Sequence, residues 1–210
     1  MSSNCSECGQ YVFNPWYGCT PVSPGCDNCP VGKQRTLIVA SEEEWLEPLK
    51  WQKKAAKSDH AYYVECGTQC DWADENAPSE VRERMWKLIR RTPDLEWHLT
   101  TKRPENLPRF LPKDWGHMGY LNVSLGVSVE NREHGLPRLD ILRKIQGASR
   151  TVEFVPLLED LGDIDLSDFN LAGPIRAERG RKARPMQAKW AKAILSQCKA
   201  QGCSWVDFHF

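Results

Sequence analysis

The sequence lacks an excess of charge of either sign, and it lacks long apolar runs. Lysine plus arginine and aspartate plus glutamate each number 28 in 210 residues, so no global charge indicates nucleic acid or a membrane surface as a partner. No apolar segment approaches the length of a membrane-spanning helix. Residues 1–10 have neither the basic flank nor the apolar stretch of a secretory signal. We therefore expect a soluble, cytoplasmic protein without a membrane partner.

Cysteine, in contrast, is abundant, with nine residues. Without a secretory signal, metal binding or redox chemistry explains this number better than disulfides do. Cys19, Cys26 and Cys29 follow the spacing C-x6-C-x2-C. Two residues between cysteines let both sulfurs reach one metal centre, and the third sulfur joins them if the segment 21–25 turns back. Three thiolates leave one position open, and the spacing alone is compatible with an iron–sulfur cluster, a zinc site or no metal.

A second cysteine pattern favours zinc. Cys5 and Cys8 together with Cys26 and Cys29 have the C-x2-C spacing, and the intervening distance, of a zinc ribbon. This set leaves Cys19 unused, whereas a set of Cys19, Cys26 and Cys29 leaves Cys5 and Cys8 without a role. The alternative metal site is therefore zinc on Cys5, Cys8, Cys26 and Cys29.

Downstream of the cysteines, short apolar strands alternate with amphipathic helices. The predicted strands are 61–65, 96–101, 121–128, 151–157, 170–173 and 204–208, and the predicted helices are 41–57, 79–91, 105–111, 131–145 and 186–201. This alternation indicates βα units around a mostly parallel sheet, which is an α/β fold. Periodicity does not distinguish an open sheet from a partial barrel. We expect an N-terminal cysteine-rich loop over 1–35 and a globular domain over 36–210.

The polar residues at the predicted strand ends are candidates for ligand binding, because parallel α/β folds bind ligands beyond the carboxyl ends of their strands. These residues are Glu65, Cys66, Thr100, Thr101, Lys102, Arg103, Ser128, Glu130, Asn131 and Glu153. Taken singly, each is better explained as a solvated loop residue or a helix cap. Their convergence on one edge of the sheet is what favours a site.

Five phrases of the sequence together resemble one known family. They are FNPWYGCTPVSPGCDNC (13–29), LTTKRPENL (99–107), LNVSLGVSVEN (121–131), VEFVPLL (152–158) and KARPM (182–186). In this order they resemble the motifs of a phage and bacterial family of unknown function that is described as radical-SAM-like. The resemblance covers nearly the whole chain.

The resemblance implies a partial TIM-like (β/α)6 barrel that carries a [4Fe–4S] cluster on Cys19, Cys26 and Cys29. In radical-SAM enzymes, S-adenosylmethionine binds the open iron and is cleaved to a 5′-deoxyadenosyl radical, which abstracts hydrogen from the substrate. By matched position, the implied cofactor-binding residues are Lys102, Arg103, Ser128, Glu130, Asn131 and Glu153.

The chain departs from the family pattern in three places. Pro30 and Val31 replace the usual Tyr-Ala after the last cysteine. Val155 replaces an acid, although Glu153 lies two residues earlier on the same strand face. The segment 172–180 replaces a glycine-rich motif that would lie near the cofactor.

The catalytic residues are undetermined, and two side chains are candidates. His98 shares its strand face with Thr100 and Lys102, and is interpreted either as a ligand or catalytic histidine or as a hydrogen-bonded core histidine. Cys66, with Cys70 nearby, could approach the cluster or act as a thiol hydrogen donor to substrate.

A basic run over 176–184 is a candidate for phosphate binding. Its cationic residues are Arg176, Arg179, Arg181, Lys182 and Arg184. The alternative is a solvated loop balanced by the acidic segment 159–168. Because phage families of this type indicate nucleotide or DNA modification, we expect a nucleotide or nucleic acid substrate, possible protein partners and, for a phage gene, the host cytoplasm. The alternative function is a zinc-binding, non-catalytic module that binds nucleic acid or protein.

Overall fold

The computed structural model describes residues 9–31 and 36–205, so Cys5 and Cys8 lie outside the described residues. The strands are β1 (Gly9–Phe13), β2 (Trp16–Tyr17), β3 (Ile38–Val39), β4 (Tyr62–Cys66), β5 (Leu95–Thr101), β6 (Val123–Ser128), β7 (Ser149–Phe154), β8 (Leu171–Ile175) and β9 (Ser204–Trp205). The α-helices are α1 (Glu42–Ala55), α2 (Ser79–Arg90), α3 (Leu107–Phe110), α4 (Leu136–Arg143) and α5 (Ala188–Gln201).

Seven strands form one sheet in the order β1-β4-β5-β6-β7-β8-β9. Every neighbouring pair is parallel, and the helices lie between the strands along the chain. The sheet is curled into a half-barrel, so the α/β partial TIM-like barrel is confirmed. The number of strands is seven rather than the predicted six, because β1 lies within 1–35. The sequence of β1, GQYVF, is short and partly polar, so the sequence pattern did not predict a strand in the cysteine-rich segment.

The two faces of the curled sheet differ in chemistry, because successive side chains of a strand point to opposite sides. On the helix side, Trp97, Leu125 and Phe154 are fully buried. On the concave side the same strands carry polar residues, among them Thr100 and Glu153. The helix side therefore supplies the apolar core, and the concave side supplies a polar interior.

Helix boundaries differ from prediction where local capping intervenes. Helix α4 begins at Leu136 rather than 131, because the Asn131 side chain accepts a hydrogen bond from the His134 backbone N–H at 2.8 Å and closes a separate turn. Gly202 ends α5 in the left-handed conformation at φ 72°, as predicted. In the described part of the chain, no helix has the length and apolar character needed to cross a bilayer.

Candidate functional site

A cavity of about 400 Å³ opens at the carboxyl ends of the parallel strands. Cys19, Cys26 and Cys29 line it from the segment that follows β1. Predicted strand-end residues also line it, among them Lys102, Arg103, Ser128 and Glu153. The structure therefore brings the three cysteines and four of the six predicted cofactor-binding residues to one cavity.

Cys19 is held in place by a buried arginine. Gly18 has φ 103°, a conformation that favours glycine, and its N–H donates to the Gln69 carbonyl at 3.1 Å, which turns the chain into the cavity. Arg103 Nη1 lies 3.9 Å from Cys19 Sγ, and its Nη2 donates to the Thr20 carbonyl. Burial raises the pKa of Cys19 to about 12, with repulsion from Asp71 adding to this and Arg103 opposing it. The guanidinium thus fixes the position of the first cysteine.

Two buried carboxylates hold Arg103 in turn. Asp71 Oδ2 accepts from Arg103 Nη1 at 2.8 Å, and Asp71 Oδ1 accepts from the Thr101 hydroxyl at 2.6 Å. Asp74 lies 3.7 Å from Arg103 Nη2 and accepts from the Thr20 backbone N–H at 2.8 Å. Sequence reasoning missed both aspartates. The signal available was a pair of acids, Asp71 and Asp74, in the segment that follows strand β4.

Cys26 and Cys29 are held from the other side by the basic run. A 3-10 turn over Pro24–Cys26 places these cysteines, and the Pro24 carbonyl accepts from Arg184 Nη2 at 2.6 Å. Arg184 also pairs with Glu178, whose pKa falls to about 2 mainly through this hydrogen bonding. Glu178 accepts from the Asn28 side chain at 2.9 Å. Arg184 therefore stabilises the loop that carries Cys26 and Cys29, whereas the sequence predicted that it binds phosphate.

The remaining cations of the basic run divide into two groups. Arg176 and Arg179 line the cavity. Arg181 and Lys182 are exposed and lie outside the cavity lining. Only part of the run is therefore placed to meet a ligand in the cavity.

Lys102 lies at the centre of the polar wall. Its Nζ donates to the Ser128 hydroxyl at 2.9 Å and to the Val155 carbonyl at 3.3 Å. Both acceptors are uncharged, so the ammonium has no carboxylate within ion-pair distance among the described residues. It is available to pair with an anionic group of a ligand.

Glu130 and Asn131, the other predicted cofactor ligands, lie outside the cavity lining. Glu130 is fully buried and pairs with Arg138, whose Nη2 lies 3.1 Å from Oε1. Its side chain packs under Gly25, where an added Cβ would come within 3.1 Å of Glu130 Cγ. Glu130 thus supports the cysteine loop from below, and Asn131 caps its own turn.

The two catalytic candidates are both buried. Cys66 points away from the concave side, and its Sγ lies 3.8 Å from Met85 Sδ of α2. His98 lies on the concave face against the Tyr63 ring at 5.6 Å, outside the cavity lining. Burial lowers the pKa of His98 to about 4, so the imidazole is neutral at physiological pH. Cys66 and Cys70 both belong to the cavity lining, and of the two Cys66 is the fully buried one.

The donor set of the cavity suits a thiolate-bound group. Three half-buried thiols surround one volume, and thiolate sulfur is the ligand of iron–sulfur clusters and of structural zinc. Over residues 9–31 and 36–205, no three histidine, cysteine, aspartate or glutamate side chains converge closely enough to hold a single metal ion. The three cysteines therefore line a cavity and do not converge on the position of a single metal ion.

Comparison with known proteins gives one family and one fold. A family model described as "Protein of unknown function (DUF5131)" matches residues 5–210. No curated protein matches the chain. A spore photoproduct lyase double mutant with bound AdoMet and dinucleoside spore photoproduct has a similar structure, with TM-score 0.54 and 14% identity over 89% of this chain and 60% of the other. The chain thus spans about three fifths of that protein, and at this identity the likeness shows the fold alone.

Proposed function

The chain belongs to the DUF5131 family, and from its fold and cavity we propose that it is a radical-SAM-like enzyme with a [4Fe–4S] cluster on Cys19, Cys26 and Cys29. The observation that carries the proposal is that these three thiols line one cavity with the polar strand ends of a partial barrel. The fold relative that holds AdoMet supports S-adenosylmethionine as the cofactor. The bound cluster and cofactor would supply radical chemistry that amino acid side chains lack.

The chain's own residues bind and orient these groups. Lys102 provides an ammonium group without an ion-pair partner among the described residues for the cofactor carboxylate, and Ser128 and Glu153 provide acceptors for the cofactor's amino group or ribose. Arg103 is saturated by Asp71 and by the cysteine loop, so we assign it a positioning role rather than direct cofactor binding. Glu130 likewise acts through Gly25.

We propose a nucleotide or nucleic acid as the substrate, in the manner of phage-type DNA modification. Arg176 and Arg179 line the cavity, where they are placed to pair with phosphate. The dinucleoside in the fold relative supports this class of substrate. A protein partner and a cytoplasmic location also belong to the proposal.

Metal analysis after anaerobic purification tests the proposal. We expect iron and sulfide at about four atoms each per chain, as a [4Fe–4S] cluster requires, and a brown protein. One zinc per chain, with no iron even after anaerobic reconstitution, would contradict it. That result would instead support the zinc-binding module on Cys5, Cys8, Cys26 and Cys29, whose ribbon-like spacing motivates the alternative.

A further inference from the structure

The floor of the cavity is a polar surface that lies deeper in the barrel than the cysteines. Gly126, at the centre of β6, has no side chain, and a Cβ there would come within 2.8 Å of the Thr100 hydroxyl and still closer to that of Thr151. The two threonines therefore meet over Gly126. The Thr100 hydroxyl donates to Glu153 Oε1 at 2.6 Å. The two hydroxyl groups fill the space that a side chain at Gly126 would occupy, and Thr100 and Glu153 are the members of this group that line the cavity.

A second carboxyl group faces the same floor from β4. Glu65 lines the cavity and neighbours His98 in the sheet register. The Glu65 side chain is half-buried, and among the described residues no hydrogen bond or ion pair reaches its carboxyl group. Among the described residues, the charge that acts on it is that of Glu153, which is repulsive. Glu65 is thus a half-buried polar side chain in the cavity lining, where its hydrogen-bonding capacity is available to a ligand.

The charges around the two carboxyl groups are distributed unequally. Lys102 and Arg176 favour the ionised form of Glu153, whose pKa is nevertheless raised by burial. Burial and then the charge of Glu153 raise the pKa of Glu65 well above its usual range. Among the described residues, other titratable groups near this region include Tyr63, neutral His98, Cys66, Cys70 and the ion-paired Asp71. Of the two carboxyl groups, Glu65 is therefore the one whose neutral form is favoured more strongly.

We infer that the cavity floor between Glu65 and Glu153 binds the hydrogen-bonding edge of a nucleobase, with the Glu65 carboxyl group supplying one donor and one acceptor. A protonated carboxyl group presents O–H and C=O side by side. The amidine edge of adenine or cytosine and the lactam edge of thymine or guanine present the complementary pair. Glu153 accepts a further N–H or O–H. This inference deepens the proposed function and rests on it for the class of substrate.

Nucleoside binding to the purified chain tests the inference. The probes are deoxyadenosine, deoxycytidine, deoxyguanosine and thymidine, measured by calorimetry from about pH 5 to about pH 9, which spans the pKa values known for buried carboxyl groups. We expect at least one probe to bind, with affinity that falls as pH rises, because ionised Glu65 loses its donor. Binding of no nucleoside at any pH would overturn the inference.

Substitutions distinguish recognition by Glu65 from a merely structural role. Glu65→Gln keeps a donor and an acceptor, so affinity stays near the low-pH value and no longer depends on pH. We expect Glu65→Ala to bind the nucleoside about tenfold more weakly, because the variant loses a pair of hydrogen bonds. Glu153→Gln removes the repulsion, and the pH midpoint moves down. Unchanged binding in Glu65→Ala, or an unchanged pH profile in Glu65→Gln, would overturn the inference.

Competition with S-adenosylhomocysteine shows whether the base that binds the cavity floor belongs to a substrate or to the cofactor. Binding that persists in its presence assigns the floor to a substrate base, whereas loss of binding assigns it to the cofactor's adenine; both outcomes support a base-edge site. Nucleoside binding does not require the cluster. A chain that binds nucleosides but no iron would thus retain this inference while the proposed function fails.

Discussion

Replacing Cys29 with serine is expected to remove nearly all iron from the anaerobically purified protein. A serine hydroxyl is a much weaker cluster ligand than a thiolate, and two remaining thiolates do not retain a cluster that needs three. Cys29 also lies at a loop position fastened by its own turn, with its N–H donating to the Cys26 carbonyl at 3.3 Å. We expect iron per chain to fall at least about tenfold.

The matched control is Cys70→Ser, because Cys70 lines the same cavity but lies outside the C-x6-C-x2-C motif. Its iron content should stay within error of the unmodified protein. If Cys70→Ser lost iron as completely as Cys29→Ser, the cluster would have four protein thiolates and no open position, and the assignment of the three ligands would be wrong.

Replacing Arg103 with methionine is expected to lower the free energy of unfolding by about 3–5 kcal/mol. Methionine keeps the apolar stem but removes the charge that Asp71 and Asp74 share. All three side chains are less than a tenth exposed, so both carboxylates would be left in a poorly solvated place without a cation. Urea denaturation of the metal-free protein measures the change.

Arg84→Met provides the matched control for this measurement. Arg84 pairs with Glu42 at 2.6 Å, but both side chains are exposed, and removing such a pair costs about 0–1 kcal/mol. Equal losses in the two variants would show that the Arg103 cluster does not hold the cysteine loop in place as the geometry indicates.

The local sequence pattern is enough to predict a mostly parallel α/β sheet but not its first strand, and the partial barrel was implied by the family resemblance. Strands β5, β6 and β7 are apolar on alternate positions and were predicted within a few residues of their bounds. Period-two alternation also placed Glu153 on the functional face. Strand β1 escaped because it is short and half polar, and its place at the sheet edge depends on pairing with β4, a partner about fifty residues away.

The roles of the charged residues at the site depend on partners that are distant in sequence. Arg103 and Glu130 carry charges that could bind a cofactor. In the fold, however, Arg103 pairs with the buried Asp71, and Glu130 pairs with the buried Arg138. Arg184 reaches a loop 160 positions earlier in the chain. Such pairings follow from the curvature of the sheet, which no local pattern records. The cysteine spacing, by contrast, is local, and the structure places all three thiols in the cavity.

The most direct test of the account is S-adenosylmethionine cleavage by the anaerobically reconstituted protein. The iron-loaded protein is reduced with dithionite, given S-adenosylmethionine and assayed by chromatography for 5′-deoxyadenosine. The account predicts 5′-deoxyadenosine well above the level formed by the Cys29→Ser variant under the same conditions. An iron-loaded, reduced protein that forms no more 5′-deoxyadenosine than that variant would contradict it.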